Sequence, residues 1–155
     1  MIFSGKEMDA FGVARCDEYA VGEIFLEREA IPKKVVGYGD ITGAFSVEGI
    51  KTYKISSPMY LPDDNALLSF EAYCVKTQEL KITVDVGDVQ SNTEKYTCFV
   101  EIKGGGKWKR IILKSADFKG EECNKPLANF SDGRAITFSS EDDETEIPVT
   151  NILWL

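Results

Sequence analysis

The chain has 155 residues, of which 43% are hydrophobic, and it carries a formal net charge of −8 with no histidine. A chain of this length can bury one ordinary core, so a single domain over residues 1–155 is predicted. The negative charge argues against a nucleic-acid partner, because phosphate binding needs clustered lysine and arginine. The lack of histidine excludes a Ser-His-Asp or Cys-His enzyme within this chain.

Neither a membrane span nor a secretory signal is visible in the sequence. No run approaches the roughly 20 apolar residues that cross a bilayer, so no membrane partner is expected. The first ten residues, MIFSGKEMDA, lack the basic-then-apolar layout of a signal peptide. A domain cut from a larger secreted protein would look the same, so this does not establish a cytoplasmic location.

The first third of the chain predicts short strands separated by glycine turns. A lead-in holds one short strand near residues 11–13, and residues 21–29 are strand-like despite their helical propensity. Residues 35–38 and 42–47 lie between glycines, which favours strands broken by turns over a helix. Residues 50–55 alternate between apolar and polar side chains, which is typical of a strand.

The strand signals become regular after residue 60. Each apolar run is separated from the next by a few polar residues. The predicted strands cover residues 67–75, 80–86, 96–103, 108–113, 134–139 and 149–155. Residues 119–132 are polar and contain a proline, so they are predicted to form a long loop with a helical turn at 127–130.

A triple glycine, Gly104 to Gly106, separates the strands at 96–103 and 108–113. Glycine adopts positive φ without a steric penalty, so a short chain reversal is predicted here, pairing the two strands as an antiparallel hairpin. With nine or ten strands and no convincing long helix, the whole chain is predicted to be an all-β antiparallel sandwich.

The four cysteines show no CxxC spacing, which argues against a zinc site. Cys74 and Cys98 lie inside apolar strand runs, where cysteine usually acts as a small buried hydrophobe. We therefore expect both to be reduced thiols.

Three phrases carry a family resemblance. Residues 61–73 (LPDDNALLSFEAY), 107–118 (KWKRIILKSADF) and 146–155 (EIPVTNILWL) resemble, in the same order, phrases of galactose-binding-like β-sandwiches with a jelly-roll fold. These include the carbohydrate-binding modules appended to glycoside hydrolases and the related domain of complex I intermediate-associated proteins.

The resemblance implies binding rather than catalysis. The expected ligand is a polysaccharide or oligosaccharide, such as a β-glucan or another plant or microbial glycan, held on a sheet face or in edge loops. The module would target an attached glycoside hydrolase to this glycan. The expected location is extracellular, as one domain of a larger secreted enzyme.

A pyranose ring stacks its C–H groups on an aromatic face, while its hydroxyls need carboxylates, amides or guanidinium groups. The strand-borne candidates that meet these needs are Tyr53, Glu71, Tyr73, Asp85, Tyr96, Arg110 and Trp154. Alternation places Glu71 and Tyr73 on the outward face of their strand. Asp85 would lie beside Tyr73 if strands 67–75 and 80–86 pair.

Trp108 and Trp154 each have a core-packing alternative. Trp108 lies in the segment 107–118, at a position where the related sandwiches usually pack an aromatic ring in the core. Trp154 lies in the last predicted strand and could cap the core. For any outward strand residue, a plain solvated face is the alternative to ligand contact.

The resemblance also implies a structural calcium site. Its ligands would be a glutamate near the first strand, loop carbonyls and an aspartate in the terminal phrase. Glu27 or Glu29 could supply the early ligand. The chain departs from the family where Thr150 precedes Asn151 in place of an aspartate, which weakens this site.

Two other functions are compatible with the sequence. A protein-protein interaction domain of the complex I intermediate-associated type would expose an apolar patch, whereas a glycan-binding groove would be lined by aromatic rings and carboxylates. A small glycosidase would need paired carboxylates. The sequence gives no sign of such a pair beyond an abundance of acidic residues.

Overall fold

The computed structural model describes residues 13–15, 33–34, 42–43, 50–52, 55, 58–87, 94–140, 147 and 149–155. Within these ranges the chain forms eleven strands, three short 3-10 helices and no α-helix. The strands are β1 (Val13–Arg15), β2 (Lys33–Lys34), β3 (Thr42–Gly43), β4 (Ile50–Thr52), β5 (Leu68–Cys74), β6 (Gln78–Val86), β7 (Glu94–Ile102), β8 (Lys107–Leu113), β9 (Lys119–Gly120), β10 (Gly133–Ser140) and β11 (Val149–Trp154). The 3-10 helices are Pro58–Tyr60, Ser115–Asp117 and Phe130–Asp132. No helix in the described ranges is long and apolar enough to cross a membrane.

The strands form two main sheets in which every neighbouring pair is antiparallel. The large sheet has the order β1-β4-β10-β6-β7-β9, and the small sheet has the order β11-β5-β8. Strands β2 and β3 form a separate two-stranded ladder. The prediction of an all-β antiparallel sandwich is confirmed.

The core lies between the two main sheets and follows the two-residue period of the strands. On β5, Leu68, Phe70, Ala72 and Cys74 are buried while Glu71 and Tyr73 are half-buried. The large sheet contributes residues such as Ile82, Val84, Ile136 and Phe138 to the same core cluster. Full burial of a large apolar side chain is worth roughly 1.5–3 kcal/mol, so this alternation fixes which face of each strand points inward.

One aromatic contact joins the two sheets directly. The rings of Phe70 on β5 and Phe138 on β10 meet edge to face, with centroids 5.1 Å apart. Both side chains are almost completely buried. This contact lies at the centre of the sandwich, between strands that belong to different sheets.

The predicted hairpin between β7 and β8 is wrong. Strand β7 pairs with β6 and β9 in the large sheet, while β8 pairs with β5 in the small sheet. The triple glycine therefore does not reverse the chain within one sheet. It carries the chain from the large sheet to the small sheet, beside the β5–β6 connection, which crosses in the opposite direction.

The two crossings run side by side and are bonded to each other. Gly105 N donates to Val75 O and Gly106 N donates to Cys74 O, each at 3.0 Å. Gly104 N donates to Thr77 Oγ1, also at 3.0 Å. The β6–β7 ladder thus continues through this corner into the β5–β8 ladder as one folded ribbon.

The corner needs glycine for two different reasons. A Cβ on Gly104 would lie 2.6 Å from Val75 O, so the close approach of the two backbones leaves no room for a side chain. Gly105 and Gly106 instead have positive φ values of 111° and 66°. Three consecutive glycines would suit a hairpin turn as well as this bent ribbon, so the sequence does not distinguish the two.

The other strand predictions after residue 60 agree with the structure to within a few residues. The predicted loop at 119–132 contains the short strand β9 and the whole of the 3-10 helix Phe130–Asp132. The strands predicted at 21–29 and 35–38 lie outside the described residues.

The prediction for the two strand cysteines is confirmed. Cys74 and Cys98 are free and buried, and Cys123 is free and exposed. Burial raises the pKa of both the Cys74 and the Cys98 thiol. Cys16 lies outside the described residues.

Candidate functional site

The small sheet turns one face away from the core, and this outer face carries an ordered set of polar and aromatic side chains. Strands β5 and β8 are in register so that Tyr73 lies opposite Trp108 and Glu71 lies opposite Arg110. Directly opposite residues of an antiparallel pair share one face and are close enough to interact. The outward direction predicted for Glu71 and Tyr73 is therefore confirmed, and their partners on β8 join them there.

The aromatic part of this face is the pair Tyr73 and Trp108. Their ring centroids are 5.6 Å apart, with an interplanar angle of 57°, within the range of favourable aromatic pairs. Both side chains are half-buried. The alternative that buries Trp108 in the core is thus not what the structure shows, because the side chain lies across from the outward Tyr73.

Next to the aromatic pair is an open pocket of about 190 Å³. Its lining combines one acid, one base, one amide, one hydroxyl and one apolar side chain. The lining residues are Ser69, Glu71, Arg110, Asn151 and Leu153. Both hydrogen-bond donors and acceptors therefore face the same small space.

Asn151 fixes the Glu71 carboxylate by donating a hydrogen bond from Nδ2 to Oε2. The contact depends on a β-bulge in β11. Thr150 pairs with Glu71 and Leu153 pairs with Ser69, so β11 has one extra residue between these two pairs. Asn151 lies in this bulge with φ 49°, a left-handed conformation that asparagine tolerates better than most residues.

The bulge also explains how Asn151 reaches the outer face. Val149 and Ile152 are both buried in the core, although strict alternation would put residues three apart on opposite faces. The extra residue restores the inward direction of Ile152 and leaves Asn151 beside Glu71. The polar contact and the packing of β11 are thus consequences of the same irregularity.

Arg110 is held by a different partner. Its Nε donates to Ser69 Oγ at 3.2 Å, and Ser69 is buried while Arg110 is exposed. Glu71 and Arg110 are cross-strand neighbours, yet the ion pairs between described residues do not include one between these two. The carboxylate and the guanidinium are therefore positioned separately, and each keeps further hydrogen-bonding capacity.

The structure brings together three of the residues predicted from sequence, Glu71, Tyr73 and Arg110. It adds Ser69 and Asn151, which the sequence did not single out. The signal for Asn151 was present in the spacing of Val149, Ile152 and Trp154, which breaks the two-residue period. The apolar Leu153 obscured it by continuing the apolar run.

The predicted position of Asp85 beside Tyr73 is wrong, because β5 and β6 do not pair. Asp85 lies in the large sheet, opposite Ala135 and Lys95, and is only 6% exposed. Alternation correctly kept Asp85 out of the hydrophobic core cluster, but the expected outward exposure of its carboxylate is wrong, and alternation could not tell which sheet the strand joins. Asp85 therefore does not belong to the face that carries Tyr73.

Trp154 and Tyr96 do not line the pocket either. Trp154 lies opposite the buried Leu68, stacks against Phe130 with centroids 5.2 Å apart, and donates Nε1–H to Tyr60 O at 2.8 Å. The structure therefore shows the alternative in which Trp154 caps the core. Tyr96 packs against the core cluster from β7.

Tyr96 has one polar neighbour at the edge of the large sheet. Its hydroxyl accepts from Cys123 Sγ at 3.9 Å. This contact, together with burial, raises the pKa of Tyr96. Tyr53, the remaining predicted ligand contact, lies outside the described residues.

The outer face of the large sheet provides a comparison surface. It exposes Phe99, with Lys81 Nζ 5.9 Å from the ring centroid. Lys81 also pairs with Glu121 at 3.7 Å, and Glu121 accepts a hydrogen bond from Thr97 at 3.0 Å. The charged groups around Phe99 are thus largely occupied with one another, unlike those around Tyr73.

Among the described residues, no group of three or more cysteine, aspartate and glutamate side chains could hold a metal ion. Glu27 and Glu29 lie outside those residues, so the calcium site stays a prediction. Asn151, in the terminal phrase, contacts Glu71.

Comparison with known proteins supports the architecture. The structure is similar to the family 11 carbohydrate-binding module of a cellulosomal cellulase of Clostridium thermocellum, with a TM-score of 0.55 and 15% identity over 79% of each chain. A second structure of a family 11 module from Clostridium thermocellum, in complex with a beta-1,3-1,4-mixed-linked tetrasaccharide, has a TM-score of 0.56 and 15% identity over 79% of this chain and 80% of that chain. This chain has the fold of a carbohydrate-binding module. The complex I relatives named by the sequence resemblance gain no support from these structures.

No family model matches the sequence, and no curated protein matches it either. The similarity is thus visible in the structure and not in overall sequence. At 15% identity, the ligand contacts of the neighbours cannot be transferred position by position.

Proposed function

We propose that this protein is a non-catalytic carbohydrate-binding domain that holds a glycan on the outer face of its small sheet. The observation that carries this proposal is the juxtaposition of the Tyr73–Trp108 pair with the pocket formed around Glu71 and Arg110. The fold shared with carbohydrate-binding modules supports it independently.

The aromatic pair suits the C–H groups of a sugar, and the polar pocket suits its hydroxyl groups. An aromatic ring offers an apolar surface to the C–H groups of a pyranose, and its polarised π-face favours such contact. A carboxylate accepts hydrogen bonds from hydroxyl groups and a guanidinium donates to them, and bonds to charged groups are the stronger ones. Neighbouring units of one glycan chain could use the aromatic pair and the pocket together.

The proposed ligand class is a β-glucan or a related cell-wall glycan. One neighbour of the same fold is described in complex with a beta-1,3-1,4-mixed-linked tetrasaccharide, which makes this oligosaccharide the natural first probe. We further propose that the domain targets an attached glycoside hydrolase to its polysaccharide and acts outside the cell.

The pocket does not have the composition of a glycosidase site. Glycoside hydrolysis generally uses two carboxyl groups on either side of the scissile bond. Glu71 is the single carboxylate among the described residues that line this pocket. A carboxylate held by an amide beside a guanidinium suits hydroxyl recognition better than proton transfer to a leaving group.

The test is an affinity-gel panel of β-glucans, xylans, mannans and pectins, followed by calorimetry with the mixed-linkage tetrasaccharide. We expect retardation by at least one glucan, with binding lost or strongly reduced in the double variant Tyr73→Ala, Arg110→Ala. Failure across the whole panel, with a protein partner recovered by pull-down, would favour an interaction domain instead.

A further inference from the structure

We infer that the Glu71–Arg110 pair makes the site selective for neutral glycans that present two adjacent hydroxyl groups, and that Glu71 excludes uronic acids. This inference rests on the proposed function and assigns its ligand class. It concerns the charge of the ligand, which neither the fold nor the aromatic pair determines.

The starting observation is that two opposite charges lie directly across the ladder without neutralising each other. Glu71 is bonded to Asn151, and Arg110 is bonded to Ser69. An ordinary cross-strand ion pair would satisfy both groups and leave little for a ligand. Here each group is held in place by a neutral partner.

The remaining hydrogen-bonding capacity is complementary. A guanidinium has five N–H donors, of which the protein uses the one on Nε; the terminal nitrogens keep theirs. A carboxylate has about four acceptor sites, of which Asn151 uses one. Donors from Arg110 and acceptors from Glu71 therefore line the same pocket.

A pair of adjacent hydroxyls fits this arrangement because a hydroxyl can both donate and accept. One hydroxyl would accept from Arg110 while its neighbour donates to Glu71. The pocket of about 190 Å³ is smaller than the roughly 300–1,000 Å³ of typical small-molecule sites, so it suits the hydroxyl edge of one sugar unit.

A uronic acid fits poorly for electrostatic reasons. Its carboxylate has acceptors only, so when that carboxylate binds Arg110 it offers no donor to Glu71 and lies close to a like charge. Like charges at short range disfavour each other, and the net charge of −8 adds to the penalty at low salt. Arg110 alone would favour such a ligand, so Glu71 is the residue that decides.

The experiment compares two ligands of equal length by calorimetry: the neutral mixed-linkage tetrasaccharide and tetragalacturonate. It is run at about 0.15 M salt, where a Debye length of about 8 Å limits the contribution of distant charges. We expect the parent protein to bind the neutral ligand at least about tenfold more tightly. Glu71→Gln should lower the affinity for the neutral ligand by about tenfold, which is the scale of a lost hydrogen bond to a charged group. The same variant should raise the affinity for tetragalacturonate severalfold.

Two further variants sharpen the test. Arg110→Gln should lower the affinity for the neutral ligand. Added to Glu71→Gln, it should abolish any tetragalacturonate binding that Glu71→Gln gained. Glu101→Gln removes one negative charge from an exposed residue of the large sheet that pairs with Lys103, so it should leave the preference unchanged.

The outcomes separate the inference from the proposed function. If the parent binds both ligands equally, or if Glu71→Gln leaves the ratio of the two affinities unchanged, the selectivity is overturned while glycan binding stands. If Glu101→Gln changes the ratio as much as Glu71→Gln, net charge and not the pocket is responsible. If the parent binds neither ligand, the inference fails together with the proposed β-glucan ligand, and the affinity-gel panel decides whether carbohydrate binding itself stands.

Discussion

At the scale of single residues, the direction of a side chain was easier to predict than its neighbours. The two-residue period of β5 placed Glu71 and Tyr73 outward because the intervening side chains are apolar, and the structure agrees. On β6 the same reasoning separated Asp85 from the core cluster, but it did not show that Asp85 is buried or that β6 joins the other sheet. The identity of the facing strand depends on the path of the whole chain, and Asp85 was misplaced for that reason.

The residue that tests the aromatic platform is Tyr73. Tyr73→Ala should weaken glycan binding by on the order of 1 kcal/mol, because it removes one ring of the aromatic pair, and calorimetry with the tetrasaccharide measures this loss. The matched control is Phe99→Ala, which removes an exposed, strand-borne ring from the large sheet. If Phe99→Ala reduces binding and Tyr73→Ala does not, the glycan binds the large sheet instead.

Asp85 makes a prediction of the opposite kind. It is buried in the large sheet, so Asp85→Ala should destabilise the fold by roughly 1–3 kcal/mol while leaving the affinity of the folded protein for glycan unchanged. Chemical denaturation and calorimetry measure the two quantities separately. Unchanged stability together with lost affinity would show that Asp85 contacts the ligand after all.

At the scale of elements, the irregular parts of the strands position the site. The bulge of β11 turns Asn151 toward Glu71 while keeping Ile152 in the core. The sequence could predict the strand but not the bulge, because Leu153 continued the apolar run past the break in alternation. The site was therefore predicted without the residue that orients its carboxylate.

Two substitutions of Asn151 separate its backbone role from its side-chain role. Asn151→Gly keeps the left-handed conformation available and removes the amide, so it should weaken glycan binding severalfold with little loss of stability. Asn151→Ala also removes the amide but must adopt an unfavourable φ, so it should cost about 1 kcal/mol or more of stability in addition. If Asn151→Gly binds glycan like the parent, Glu71 does not need its partner.

The glycine corner offers a second test at this scale. Gly104→Ala places a methyl group against the facing backbone, whereas Gly105→Ala meets no atom within 4 Å but has φ 111°. We expect Gly104→Ala to be the more destabilising, because two backbone segments would have to separate and break the bonds between the crossings. Urea denaturation of both variants measures the difference. A larger loss in Gly105→Ala would show that backbone conformation, and not the close approach, determines the glycine requirement.

At the scale of the whole molecule, the folded ribbon ties the two sheets together. Strands β5 and β8 belong to the small sheet, and β6 and β7 belong to the large one, yet all four form a single continuous ladder through the corner. The sequence predicted an all-β sandwich from strand count and spacing, but it placed the chain reversal at the glycines. Local periodicity defines strands, whereas the bend of a ribbon between layers depends on packing over its full length.

This connection predicts that the sandwich opens as one unit. Cys74 lies on β5 and Cys98 on β7, so the two buried thiols report on different sheets. Burial raises the pKa of both thiols, which lowers their thiolate fraction, and a buried thiol reacts only when its surroundings open. In low concentrations of urea at neutral pH, alkylation mapped by mass spectrometry should therefore give both cysteines the same free energy of opening.

Cys123 is the internal control for this measurement, because it is exposed and should react at once without urea. The corner variant Gly104→Ala should lower the opening free energy of Cys74 and Cys98 by equal amounts, since the ribbon belongs to both sheets. If Cys74 became reactive well before Cys98, the small sheet would open independently of the large sheet. Because the small sheet carries the proposed glycan site, a bound tetrasaccharide should then protect Cys74 alone, whereas cooperative opening requires equal protection of both thiols.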